Sequence, residues 1–209
     1  MTSSITLAKW TLEQYHQMIA AGILNDQRVE LLHGEIIQMA PEGEPHAFYS
    51  RTNAKNLEQL LGNQAEVLQG KPITIPATQS EPEPDIAIVQ PLGREYLQHH
   101  PYPENVFWLI EYANTSLRKD MEPKAKAYAA AGIAEYWVVN LQKLELIVMR
   151  QPQQDQYTLQ TTLTSGAIAP LAFPNVNISV NKLLDKRESG DEQLSQLVTA
   201  IGKFGLTAT

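Results

Sequence analysis

Two carboxylates and a lysine are the residues of this chain whose types and spacing best suit joint chemistry. Asp85 follows the proline-punctuated stretch EPEPDIAIV and opens an apolar strand. Glu111 interrupts a continuous apolar run, VFWLIEYA, with the pattern of a fully buried central strand. A carboxylate inside such a strand is costly unless something pairs with it. If the two strands are neighbours, Asp85 and Glu111 converge and repel, so either one takes up a proton or a cation sits between them. Hard oxygen ligands from one or two carboxylates, completed by water and phosphate oxygens, suit Mg²⁺. Taken singly, each residue also has a purely structural reading: an Asp capping the start of a strand, and a buried Glu paired to a lysine.

The lysines follow in SLRKDMEPKAKAY, which carries Arg118, Lys119, Lys124 and Lys126. A helix starting near Asp120 returns Lys124 toward the end of the strand that carries Glu111, and Tyr128, four residues on, shares its face. A lysine there can position an attacking water and offset charge on a phosphoryl transition state. Lys119 and Lys126 read as a solvated helical charge run.

These groups need elements to hold them. Thr11 to Leu24 reads as a helix, with Thr11 and Gln14 forming a capping box and Gly22 marking the end. Val29 to Ile37 reads as a β-hairpin turning at His33-Gly34. His46 to Leu61 reads as a second helix, with Ala47, Ala54, Leu57 and Leu61 on one side. EVLQGKPITIP supplies strand segments, and strands follow at Asp85 and over VFWLIEYA. After the helix from Asp120 to Ala131, the segments EYWVVN, LELIVMR and YTLQTTL form a meander. Phe173 to Leu184 reads as a last strand and short helix. A charged linker, KRESGDE, then precedes an amphipathic helix bearing Leu194, Leu197, Val198 and Ile201.

Composition narrows the class. With no cysteine, disulfides, thiolate metal sites and a cysteine nucleophile are excluded. No apolar run approaches the roughly 20 residues that span a bilayer, and no secretory signal is visible at the N-terminus, so a cytoplasmic location is expected. The net charge of −7 counts against nonspecific binding of nucleic acid. It leaves room for a local basic patch.

The stretch PDIAIV followed by LIEYANTSLRKDMEPKAKAYAAAGIAEYWVVN resembles the Uma-two family of restriction endonucleases, within the PD-(D/E)XK nuclease superfamily. Glu111, Thr115, Ser116, Leu117, Asp120, Lys124, Tyr128, Gly132, Glu135, Tyr136 and Trp137 fit the family pattern in register. Upstream, ELLHGEIIQMAPEGEPH fits it at Glu30, Gly34, Glu35, Met39, Pro41 and His46, and the match spans most of residues 10–184. The chain departs from the pattern at Tyr112, Asn114 and the Arg118-Lys119 pair, none of them a proposed catalytic group.

The resemblance implies an α/β fold with a restriction endonuclease-like core, a mixed central β-sheet flanked by helices, over residues 1–185. Residues 186–209 would form the charged linker and C-terminal helix. Asp85 and Glu111 would be ligands for Mg²⁺ or Mn²⁺, with DNA as the substrate. The superfamily's lysine, normally two residues after the Glu, is Ala113 here, and its role passes to Lys124 on the next helix. Glu35 would be an additional acidic residue. His46 would contact phosphate or cap its helix, capping being the simpler reading. Two functions compete: a metal-dependent endonuclease, which the intact Asp, Glu and Lys favour, and a nuclease-fold module that binds nucleic acid or protein without turnover, which the acidic charge favours. An acyl hydrolase finds no G-x-S-x-G motif. Finally, EYWVVNLQKLELIVMR offers a long apolar strand pair, and long exposed edges are usually covered, so a homodimer is expected.

Overall fold

The computed structural model describes residues 7–113, 117–184 and 186. The chain opens with α1 (Leu12–Ala20), the hairpin of β1 (Val29–Leu32) and β2 (Glu35–Gln38), and α2 (Glu44–Leu61). β3 (Glu66–Gln69), β4 (Ile86–Val89), β5 (Val106–Ala113) and α3 (Leu117–Ala130) follow, then β6 (Glu135–Asn140), β7 (Glu145–Gln153) and β8 (Gln156–Leu163). Two short strands, β9 (Ala167–Ile168) and β10 (Ile178–Ser179), lead into α4 (Val180–Leu183).

A six-stranded sheet in the order β3-β4-β5-β6-β7-β8 forms the centre. β5 and β6 run parallel, and every other neighbouring pair is antiparallel. Parallel neighbours need a long crossover, and α3 is that crossover. Alternation along β5 divides the two faces. Trp108, Ile110 and Tyr112 pack with Ala54, Leu57 and Leu61 of α2 and Leu183 of α4. Leu109 faces the other way, with Ala87, Tyr136, Val138 and Tyr128 of α3. The centre of the sheet is thus buried on both sides, which is why VFWLIEYA and EYWVVN are continuous apolar runs.

The Thr11 hydroxyl accepts from the Gln14 N–H and the Gln14 side chain accepts from the Thr11 N–H, closing the capping box of α1. Tyr15 of α1 packs on Val29 and Leu31 of the hairpin. The His33-Gly34 turn has φ of 51° and 75°, as a two-residue hairpin of this hand requires. At Gly34 an added Cβ would also lie 2.9 Å from the Trp10 carbonyl oxygen. Gly34→Ala should therefore cost about 1 kcal/mol or more of stability in urea unfolding. A gain in stability would contradict this reading of the turn.

Three expectations need correction. α1 is shorter than expected, ending at Ala20, because a turn with Gly22 at φ 73° follows it. α2 begins at Glu44 rather than His46, with Gly43 at its N-cap and a proline in its first turn. The strand pair expected to present an edge lies inside the sheet: β7 is paired on both sides, and the sheet's outer strands are β3 and β8. The argument for a homodimer therefore loses its premise. Thr115, Ser116 and the expected C-terminal helix lie outside the described residues.

Candidate active site

The ends of β4 and β5 bring the candidate residues together. Ile86 pairs with Ile110, and continuing that antiparallel register sets Asp85 opposite Glu111. Glu111, flanked by Ile110 and Tyr112, belongs to the face that α3 covers. There Lys124 Nζ donates to its Oε1 at 2.9 Å and the Tyr128 hydroxyl donates to the same oxygen at 3.2 Å. The i, i+4 relation of Lys124 and Tyr128 thus converges on one carboxylate oxygen.

Asp85 stands just before β4, and its Oδ2 accepts the Tyr112 backbone N–H at 2.6 Å. This contact locks the carboxylate to the residue after Glu111. His46, on the first turn of α2, places Nε2 2.7 Å from the same oxygen, a close ionic contact without hydrogen-bond alignment. His46 is therefore not a helix cap. The extra turn residues at Glu44 and Pro45 carry it inward to Asp85.

The acidic residue that joins this group is Glu30 of β1, only 5% exposed. Its Oε2 lies 3.3 Å from Lys124 Nζ and accepts the Glu83 N–H at 3.1 Å. Lys124 Nζ also donates to the Glu83 carbonyl at 3.0 Å. Glu35, the acidic candidate expected from the hairpin, is exposed and pairs with Lys9 instead. Period-two alternation reads Glu30 as a solvent-facing strand residue. Its one sequence signal is its place in the family pattern, which assigns it no role; its burial follows from packing, with α1 on the Val29 and Leu31 face of β1 and α3 also packed against the strand. Lys126 is exposed, as expected.

Electrostatics follow from this crowding. Burial raises the Glu111 carboxyl well above the usual carboxylate range; the Lys124 charge opposes that shift and the Asp85 charge adds to it. Burial alone would pull Lys124 down, but Glu111, Glu30 and Asp85 outweigh it and hold the ammonium above the ordinary lysine range. For His46, burial also acts downward, and the contact and charge of Asp85 raise it overall. Among the described residues, Glu30 and Glu111 pair with Lys124, and Asp85 with His46, which is charged on protonation.

Such a cluster has room for more positive charge. Among the described residues no group of three or more His, Cys, Asp or Glu side chains is placed to hold a metal ion by itself. Mg²⁺ does not require one, since it keeps several waters and uses one or two carboxylates with substrate phosphate. Among the described residues, the hydrogen bonds and ion pairs to Asp85 fall on Oδ2 and those to Glu111 on Oε1. The hard, crowded donor set fits a divalent cation of that kind.

A mixed sheet flanked by helices, with acidic residues and a lysine gathered where its central strands end, defines a nuclease-like α/β fold. A crystal structure from Anabaena variabilis ATCC 29413, described as a "putative nuclease belonging to DUF820", has this fold: its TM-score is 0.67 at 15% identity, covering 84% of this chain and 97% of that one. No curated protein matches the chain. Residues 12–181 match the family model Uma2, "Putative restriction endonuclease", and the chain belongs to that family. No helix among the described residues is long and apolar enough to cross a membrane.

Proposed function

We propose that this protein is a divalent-metal-dependent nuclease that hydrolyses phosphodiester bonds in DNA, with Asp85, Glu111 and Lys124 as its active site. The observation that carries the reading is the Lys124 ammonium, hydrogen-bonded at 2.9 Å to Glu111. The position two residues after Glu111 is Ala113, so a cation must come from elsewhere, and α3 delivers one.

Asp85 and Glu111 would hold Mg²⁺ or Mn²⁺. When bound, the ion supplies charge to the scissile phosphate and makes a water more acidic. The chain's own residues do the rest. The Tyr112 N–H and His46 fix the orientation of Asp85. Tyr128 and Lys124 fix Glu111. The ammonium places a positive charge beside the carboxylates, where negative charge develops on phosphate oxygens during attack, and it can orient the attacking water. The net charge of −7 favours a second reading, a nuclease-fold module that binds without turnover.

Calorimetric titration with Mg²⁺ and with Mn²⁺ separates the two. The wild type should bind at least one of the ions, and Asp85→Ala should weaken that binding by more than ~10-fold, since losing a direct ligand costs more than losing its support. Equal binding by the two proteins would remove Asp85 from the proposed site.

A further inference from the structure

Lys124 has two carboxylate neighbours where charge balance needs only one. Glu111 already pairs with it. Glu30 reaches it from a separate part of the fold, the N-terminal hairpin, and is buried to do so. Burying a carboxylate is costly unless it is satisfied, and Glu30 Oε2 is satisfied twice, by the Lys124 ammonium and by the Glu83 N–H. Lys124 in turn donates to the Glu83 carbonyl. Both sides of residue 83, two positions before Asp85, are thereby bound into one ring of Glu30, Glu83 and Lys124.

We infer that Glu30 is the positioning residue for Lys124: it holds the ammonium at the site from the N-terminal hairpin and ties it to the loop that presents Asp85. This rests on the nuclease reading above and deepens it. Three oxygens lie against the ammonium: Glu111 Oε1 and Glu83 O as hydrogen-bond acceptors and Glu30 Oε2 as an ion-pair partner. Glu111 Oε1 is shared with Tyr128, and Glu111 is also the residue proposed to engage a cation. Glu30 has no such second duty, so it retains the lysine whatever Glu111 holds.

The test is Glu30→Gln, which keeps the shape and an acceptor for the Glu83 N–H but removes the charge. Steady-state cleavage should show kcat reduced on the order of 10- to 10²-fold, as for a displaced catalytic group. KM should change by less than about twofold, because uniform substrate binding is untouched. Glu30→Asp should recover part of kcat. In a Lys124→Ala background, Glu30→Gln should cost nothing further, which is the mark of two residues acting as a unit. A second readout does not depend on activity. In ¹⁵N NMR of the purified protein, the Lys124 ammonium should give a slowly exchanging signal, assigned by its loss in Lys124→Ala, and Glu30→Gln should abolish or broaden it. No such signal in the wild type, or an unchanged one in Glu30→Gln, overturns the inference. So does a kcat loss that merely adds to that of Lys124→Ala. A wild type that cleaves no substrate defeats the nuclease reading instead, and the NMR comparison then decides the role of Glu30 by itself.

Discussion

Lys124→Ala should leave Mg²⁺ binding largely intact and slow DNA cleavage on the order of 10²-fold or more, the loss expected for one stabiliser of transition-state charge. The ammonium is nearly enclosed, with Glu111, Glu30 and the Glu83 carbonyl around it, so no neighbouring cation substitutes for it readily. Among the described groups, His46 is the other basic side chain in the cluster, and it is engaged with Asp85. Lys126→Ala is the control: two positions along α3 and exposed, it should cost little beyond a modest, salt-dependent loss of DNA affinity. Single-turnover cleavage of plasmid and single-stranded DNA by all three proteins, with metal binding measured in parallel, reads the difference. Equal rates for Lys124→Ala and wild type would remove the lysine from the mechanism.

The largest expected effect on stability lies away from this cluster, at Glu135. Its side chain is wholly buried and accepts from Trp137 Nε1 at 2.7 Å, from Arg150 Nε at 2.8 Å and from the Leu171 N–H at 2.7 Å. One carboxylate thus joins β6 to β7 and to the segment leading into β10. Arg150 also donates to the Ala169 carbonyl, which fixes the same segment. Glu135→Ala leaves an indole N–H, a backbone N–H and a guanidinium without their acceptor. Breaking a buried pair from one side costs about 3–5 kcal/mol, which for a domain of this size is a fall in Tm of roughly 6–20 °C. Denaturant unfolding checks it, and a loss below about 1 kcal/mol would show that water replaces the carboxylate without difficulty.

Glu135 also shows where sequence reasoning reaches its limit. It stood in the same recognisable stretch as Glu111 and Lys124, yet it joins two strands of the sheet to the segment before β10, and residue type alone does not distinguish the two roles. The central strands were legible because burial on both faces leaves continuous apolar runs, against which a single Glu at position 111 stands out. The hairpin was legible because His33 and Gly34 must adopt positive φ. The approach of Lys124 to Glu111 was legible because a helix after the strand returns it there, with Tyr128 one turn on, and because the family resemblance leaves Ala113 at the usual lysine position. Glu30 was legible as a position in the family pattern but not as a partner of Lys124, since alternation treats its face of β1 as solvent and the packing of α3 against β1 cannot be read from that alternation. His46 was read as a cap because the start of α2 was placed two residues late, and that shift hid its approach to Asp85. The edge-strand premise behind the expected dimer fell for a related reason: pairing with β8 cannot be inferred from the apolar pattern of β6 and β7 alone.

The central claim is that these residues cleave DNA with the help of a divalent ion. The most direct measurement incubates purified protein with supercoiled plasmid and with single-stranded DNA, in Mg²⁺, in Mn²⁺ and in EDTA, alongside Asp85→Asn prepared identically. The account predicts cleavage by the wild type with at least one of the two ions, none in EDTA, and none by Asp85→Asn. No cleavage of either substrate by the wild type with either ion, or equal cleavage by Asp85→Asn, would contradict it.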